Sequence, residues 1–387
     1  MQTQKQKRIE LLDILRGFAI LGTLGTNIWL FATYSDLSTF LDLSNWNASA
    51  EGIVTALQSI FVNGKMLGLL TILFGVGLEM RYRKAKRTGL PWRRFILWTM
   101  LLLLLDGLLH YVFVFEYDVL MSYAVTGMIV AMLIGLSERK LTVIMIVCLS
   151  LHVLLMLPLS LGLGWIMQDA GFRRELLALG QETQTLYANG SYIEQILYRL
   201  NNFFSLRVEG VVIGLMNIGL YIAGIKLLRG EAFQNTDKGC RTRGKLLKFV
   251  LPIALVLNII PLLASGYLDL ALRYIFAPLL SVGYIGLLGW IADKDALRGM
   301  TNRFADIGKA ALSCYVLQNI LASVFFYGWG FGLGEYYSVW LTLGMFALIA
   351  VLIATAAYLF VRRWQAGPLE LLWRKLSYAP FRNSRSS

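Results

Sequence analysis

The sequence predicts an all-α fold, a polytopic transmembrane helical bundle of about ten helices with both termini cytoplasmic. Three observations carry that reading. Of 387 residues, 57% are hydrophobic and 15% charged, far below the roughly 25% charged residues of a soluble domain. The apolar residues fall into runs of about 20, such as 95–115 and 339–361, the length a hydrocarbon core of about 30 Å requires of a helix. Lys and Arg, which set a formal charge of +13, gather between the runs and do not interleave with aromatics, so the charge reports topology and not a nucleic-acid partner.

The spans read as 11–34, 56–80, 95–115, 119–136, 141–165, 208–228, 249–266, 270–292, 309–328 and 339–361. Lys5, Lys7 and Arg8 precede the first, which is too long and too polar at its far end for a removed leader and is expected to stay. Residues 35–51 contain Asp36, Asp42 and Glu51 but no basic residue, so the positive-inside rule puts them outside. Residues 81–94 hold Arg81, Arg83, Lys84, Lys86, Arg87, Arg93 and Arg94 and belong inside. As one helix, 51–80 would reach about 45 Å, longer than the bilayer core, and Asn63-Gly64-Lys65 is the natural break. Residues 165–206 mix charges with aromatics and are expected to form short interfacial helices on the outer face. The basic stretch 230–248 reads as a cytoplasmic linker between an N-terminal bundle (1–229) and C-terminal helices (249–363). A basic tail (364–387) follows, with Arg374, Lys375, Arg382 and Arg385. Cys148, Cys240 and Cys314 suggest neither a disulfide nor a metal site and read as packing residues. Asn47 and Asn189 each open an N-x-S triplet, which matters only where a secretory pathway glycosylates.

A charged group in hydrocarbon costs at least about 2.5 kcal/mol, so each intramembrane polar residue needs a partner or a purpose. Asp13 and Arg16 stand three apart on one helical face beside Gly17; they read as a structural ion pair, or with Arg16 as a fork for a phosphate-bearing donor. Asn27 lies about 16 Å further along the same helix, as an interhelical hydrogen-bonding group or a site residue. Asp106 and His110 are spaced i, i+4, with Asp118 in the following turn, so either carboxylate could orient the imidazole as a general base. His152 reads as a packed structural histidine. Lys65 must reach the interface or line a cavity, and Gln318 puts an amide in the ninth span. Asn27, Lys65, His110 and Asp118 all fall in the outer third of the predicted membrane, the convergence a shared cavity would produce, with Gln318 nearer the middle.

The motifs Asp13-Ile14-Leu15-Arg16-Gly17-Phe18 with Asn27, Asn63-Gly64-Lys65 followed by Leu73-Phe74-Gly75, and Gly107-Leu108-Leu109-His110 followed by Asp118-Val119-Leu120 resemble the YeiB family of bacterial membrane proteins. So do 308–318, Phe326-Tyr327-Gly328 and the tail Gly367-Pro368-Leu369-Glu370. That family is of undefined function and is similar in turn to a transmembrane acyltransferase superfamily, which includes heparan glucosaminide N-acetyltransferase and membrane O-acyltransferases. The superfamily carries an Arg-x10-His pattern on an early helix; here Arg16 matches and Asn27 stands in the histidine position. The resemblance implies a multi-pass protein of the bacterial cytoplasmic membrane.

From this follows the expectation of a membrane acyltransferase moving an acyl group from cytoplasmic acyl-CoA, with no resident cofactor or metal, to a glycan or lipid acceptor at the outer face. His110, Asp118, Asn27 and Asp106 would carry the chemistry, Arg16, Lys65 and Gln318 would bind substrate, and Asp13 and Gly17 would be structural. The alternative is a transporter or lipid-handling protein without covalent chemistry. A silent scaffold would have no ligand-sized cavity. The partners expected are membrane lipids, with a homodimer open and nucleic acid excluded.

Overall fold

The computed structural model describes residues 9–35 and 48–381. Lys5, Lys7, Arg8, Asp36, Asp42, Asn47, Arg382 and Arg385, on which part of the topology reading rests, lie outside the described residues. The chain is a helical bundle, with no strand among the described residues. Seven helices in it are long and apolar enough to cross a membrane, or eight if one bent pair counts as a span, so the protein is of the multi-pass type.

The order is α1 (Glu10–Ala32), α2 (Ala50–Phe61), α3 (Lys65–Thr88), α4 (Trp92–Phe113), α5 (Leu120–Leu133), α6 (Glu138–Ile166), α7 (Ala170–Asn189), α8 (Tyr192–Asn201) and α9 (Gly214–Arg229). Then come α10 (Asp237–Leu263), α11 (Asp269–Ala292), α12 (Arg298–Lys309), α13 (Ala311–Phe326), α14 (Val339–Trp364) and α15 (Pro368–Tyr378). Several boundaries differ from the sequence reading. The break between α2 and α3 does fall within the expected Asn63-Gly64-Lys65, at Gly64, which turns with φ of 78°, a conformation open to glycine at little cost. In place of a straight ninth span stands the pair α12–α13, bent by 90°. The fourth and sixth are helices of 14 and 16 residues. In the segment read as outer from the sequence, α7 alone runs 20 residues, longer than the short caps expected. The stretch read as a linker is ordered through Arg243, buried and donating to the carbonyls of Ala232 and Gln234.

Lipid offers no hydrophobic gain for helix association, so close van der Waals approach must supply it. Gly17 lies so near α12 that a Cβ would meet the Phe304 carbonyl at 1.8 Å, and Gly308 likewise meets the Asp13 carbonyl at 1.8 Å. The register shows the two helices running in opposite directions. A second crossing sets Gly75 of α3 against the Tyr221 carbonyl (2.1 Å) and Gly224 of α9 against that of Ile72 (2.0 Å). At the end of the bundle where Arg81 lies, an ionic clamp joins α3, α6 and α9: Arg229 contacts Glu79 and Glu138 at 2.7 Å each, and Arg83 contacts Glu79 at 2.8 Å.

Two wide helical turns, Leu246–Val250 and Leu272–Phe276, each precede a proline by two residues, relieving the clash of the ring with the carbonyl four residues back. Pro278 has no N–H for the Tyr274 carbonyl, and the His152 Nε2–H donates to it instead at 3.0 Å. His152 therefore serves the backbone of a neighbouring helix.

Overpacking a tight crossing costs about 1–3 kcal/mol. Gly17→Ala and Gly75→Ala should each lower the melting temperature of detergent-solubilised protein by about 3 °C or more. Gly162→Ala, where a Cβ meets nothing within 4 Å, should leave it unchanged in the same thermal-shift measurement.

Candidate functional site

Three helices and one turn bring four polar side chains into a buried line. α1 supplies Asn27, α13 Asn319, α4 His110, and the turn before α5 Asp118, all under 9% exposed. Asn27 Nδ2 donates to Asn319 Oδ1 at 3.1 Å, and Asn319 Nδ2 lies 3.1 Å from His110 Nε2. An amide N–H can only donate, so the neutral imidazole accepts at Nε2 and carries its proton on Nδ1. That nitrogen stands 3.1 Å from Asp118 Oδ1, an approach too bent for a hydrogen bond, which leaves a close electrostatic contact.

Asp118 is itself fixed. Its Oδ2 accepts the Met121 N–H at 3.1 Å, filling one of the open donors at the start of α5. Its carbonyl accepts from Arg207 Nη1 at 2.8 Å. Gly107, one turn before His110, makes room: a Cβ there would sit 2.7 Å from the Met121 nitrogen and 2.9 Å from Asp118 Oδ2.

A cavity of about 500 Å³ approaches this line from one end of the bundle. Its mouth carries Arg16, Arg81, Lys84, Lys309 and Arg374, and its throat is lined by Ile20, Leu70, Leu73, Phe74, Leu103 and Leu120. Most of the mouth cations have neighbours: Arg16 pairs with Asp13 at 3.3 Å, Lys309 with Asp306 at 3.3 Å, and Lys84 donates to the Tyr378 hydroxyl at 2.7 Å. Arg81 pairs with no carboxylate among the described residues and lies 4.7 Å over the Trp373 ring.

Besides Tyr378 at the mouth, three tyrosines line the cavity. Tyr123 and Tyr221 spend their hydroxyls on the carbonyls of Leu67 and Tyr123. The buried Tyr315 hydroxyl lies near the Val119 amide but outside hydrogen-bond geometry. Its ring faces the His110 ring at 4.9 Å. Tyr315 thus forms the wall between cavity and imidazole.

The residues singled out from the sequence separate accordingly. Asn27, His110 and Asp118 come together, and Arg16 stands at the cavity mouth. Asp106, four residues from His110, lies beside the Trp373 indole and makes no ion pair with the imidazole, which faces Asp118. Lys65, fully buried, donates to the Ser59 carbonyl and so closes the end of α2; it is absent from the cavity lining, because the α2–α3 break turns its side chain onto its own segment. Gln318 is fully buried with neither amide atom hydrogen-bonded, and the cavity wall does not include it. Asp13 and Gly17 belong to the α1–α12 crossing. Sequence reasoning passed over Asn319, Tyr315 and Arg81. Asn319 and Tyr315 flank Gln318 in the quoted 308–318 motif and just beyond it, but nothing in their spacing shows which face of α13 meets α4.

Replacing Asn319 with Leu leaves the Asn27 amide and His110 Nε2 buried without partners, each costing about 1–3 kcal/mol. Asn319→Leu should lower the unfolding midpoint, and Asn27→Leu/Asn319→Leu should cost less than the sum of the two single changes in a double-mutant cycle. Strict additivity would mean that the two amides do not interact.

The chain is similar to the uncharacterized protein YxaH of Bacillus subtilis (strain 168), 24% identical over 405 residues that span 97% of this chain and 96% of the relative. It is also similar to the uncharacterized protein YeiB of Escherichia coli (strain K12), 26% identical over 395 residues and 95% of each chain. A family model described as a protein of unknown function (DUF418) matches residues 227–380, from the end of α9 through α15. No solved structure matches. The family match and the two similarities along nearly the whole length support a YeiB-type family for this multi-pass helical chain.

Proposed function

We propose that the protein is an acyl-CoA-dependent membrane acyltransferase whose basic cavity mouth faces the cytoplasm and whose acceptor, a glycan or lipid, arrives from the opposite side. The observation that carries this is the cavity itself: five cations at the mouth, an apolar throat, and an inner wall, Tyr315, in contact with a histidine held between an amide and a carboxylate. A cationic mouth suits the phosphates of a nucleotide donor. Arg81, with no carboxylate of its own, is the strongest candidate for them, with Arg16 beside it.

In this reading the acceptor hydroxyl displaces the Asn319 amide from His110 Nε2. The imidazole takes the hydroxyl proton while the oxygen attacks the thioester carbon, and the C–S bond breaks. The proton then passes to the departing CoA thiolate, giving an O-acyl product and free CoA. Asp118 favours the imidazolium that forms in between. Asn27, unable to serve as a base, holds Asn319 in register.

The lining also favours a second reading. Apart from Tyr315, the throat tyrosines have no hydroxyl proton left to donate to the amide carbonyls of a pantetheine arm, and a hydrocarbon chain needs none, which suits a lipid-handling protein without covalent chemistry.

Purified protein in nanodiscs should release CoA from at least one member of an acyl-CoA series running from acetyl to palmitoyl. His110→Ala should abolish release. Arg81→Ala should raise the donor KM about tenfold or more, the loss of one charge-assisted contact. No release with any donor, together with an anionic lipid that co-purifies and is lost in Arg81→Ala, would replace the transferase reading with the lipid-handling one.

A further inference from the structure

α15 covers the cavity mouth, contributing Glu370, Trp373, Arg374, Ser377 and Tyr378 to its lining. The two ends of this helix are held by different chemistry. At its start, Glu370 Oε1 accepts the backbone N–H groups of Leu312 (2.6 Å) and Ser313 (3.3 Å), and Oε2 accepts from the Ser313 hydroxyl at 2.6 Å. Ser313 Oγ in turn accepts the Leu369 N–H at 3.0 Å. The first turns of α13 and α15 therefore cap each other, with a carboxylate on the positive end of α13. Gly367 sits at the closest approach, where a Cβ would lie 2.2 Å from Glu370 Oε2 and 2.4 Å from Ser313 Oγ.

The far end rests on aromatic faces. Arg81 lies over Trp373, and Lys84 lies 4.6 Å over the Tyr378 ring. The Trp98 Nε1–H donates to the Leu376 carbonyl at 3.0 Å. Phe95 packs against Tyr378 and Phe381, ring centroids 5.3 and 5.7 Å away. The Trp373 face holds Arg81, and the Tyr378 hydroxyl and ring hold Lys84; these are neutral partners, and a phosphate would offer both cations stronger charge-assisted hydrogen bonds.

We propose that α15 is a hinged lid: its first turn stays pinned to α13 through Glu370, and its far end lifts from α3 and α4 when a polyanion takes Arg81 and Lys84. The release half rests on the acyl-CoA reading, and the hinge half does not. The lid couples donor entry to the helix that bears Tyr315 and Asn319, because the pin sits on the first turn of α13, and the Phe95 cluster draws the lid shut once the anion leaves.

Hydrogen exchange on the full chain in nanodiscs tests both halves. Without ligand, the amides of residues 374–378 should exchange about tenfold faster than those of Leu312 and Ser313, as separately opening units do. Tyr378→Ala should speed the 374–378 amides further and leave Leu312 and Ser313 unchanged, whereas Glu370→Gln should speed Leu312 and Ser313. Equal exchange at the two ends in wild type, rising together in Tyr378→Ala, would overturn the hinge. With CoA as the probe, faster exchange at 374–378 supports anion-driven release, and slower exchange overturns it. If CoA changes neither end, the release half and the acyl-CoA reading fall together, while the hinge is judged on the ligand-free comparison.

Discussion

Hydrocarbon cannot hydrogen-bond, and every polar group in this bundle is placed under that constraint. Asn27, Asn319, His110 and Asp118 come from segments far apart in the chain, and each would be costly alone in lipid. Joined end to end they satisfy most of one another's demands, and the register of α1, α4 and α13 is set by the need to meet. The same rule explains His152, which takes a carbonyl that Pro278 leaves without its usual donor, and Lys65, which spends its ammonium on the end of α2. Groups that stay unsatisfied stand out against this background. The Gln318 amide is one such group away from the cavity, and the Tyr315 hydroxyl is another on its wall, where Arg81 also stands without a carboxylate partner among the described residues.

The cavity exists because the helices around it cannot close completely. Glycine-mediated crossings draw α1 to α12 and α3 to α9, while Phe74, Tyr123, Tyr221 and Tyr315 hold their neighbours apart. Among these elements the throat stays apolar and the mouth basic. A scaffold without a ligand-sized opening is therefore not what the fold presents. The ionic clamp of Arg229 with Glu79 and Glu138 ties α3, α6 and α9 on the same side, so the mouth is built on braced helices, with α15 as a peripheral cover.

The electrostatic order along the route is equally directional. Cations stand at the mouth, apolar side chains follow, and the single imidazole is reached last, with its Nδ1 proton toward Asp118 and Nε2 engaged by an amide. The first part carries positive charge and the second offers apolar surface. The imidazole can be reached only by displacing Asn319 or passing Tyr315. Access to His110 from the cavity thereby requires a side chain to move.

Composition and periodicity by themselves determined the class of the protein: apolar runs of bilayer length separated by basic connections can be satisfied only by a helical bundle in lipid. Local rules also located the break at Gly64, where a positive φ needs glycine, and singled out Asn27, His110 and Asp118 as polar groups that lipid would not tolerate unpaired. Sequence spacing could not choose between Asp106, four residues before the imidazole on the same helix, and Asp118, eight residues after it, because only the folding back of the turn before α5 brings Asp118 to His110. Nor could it identify Asn319, Tyr315 or Arg81, or show that Lys65 stays out of the cavity, since these depend on the azimuth at which separate helices face one another. Azimuth is fixed by packing between distant segments, through glycine contacts such as Gly17 on Phe304 and through the bend between α12 and α13, and only the tertiary structure decides it.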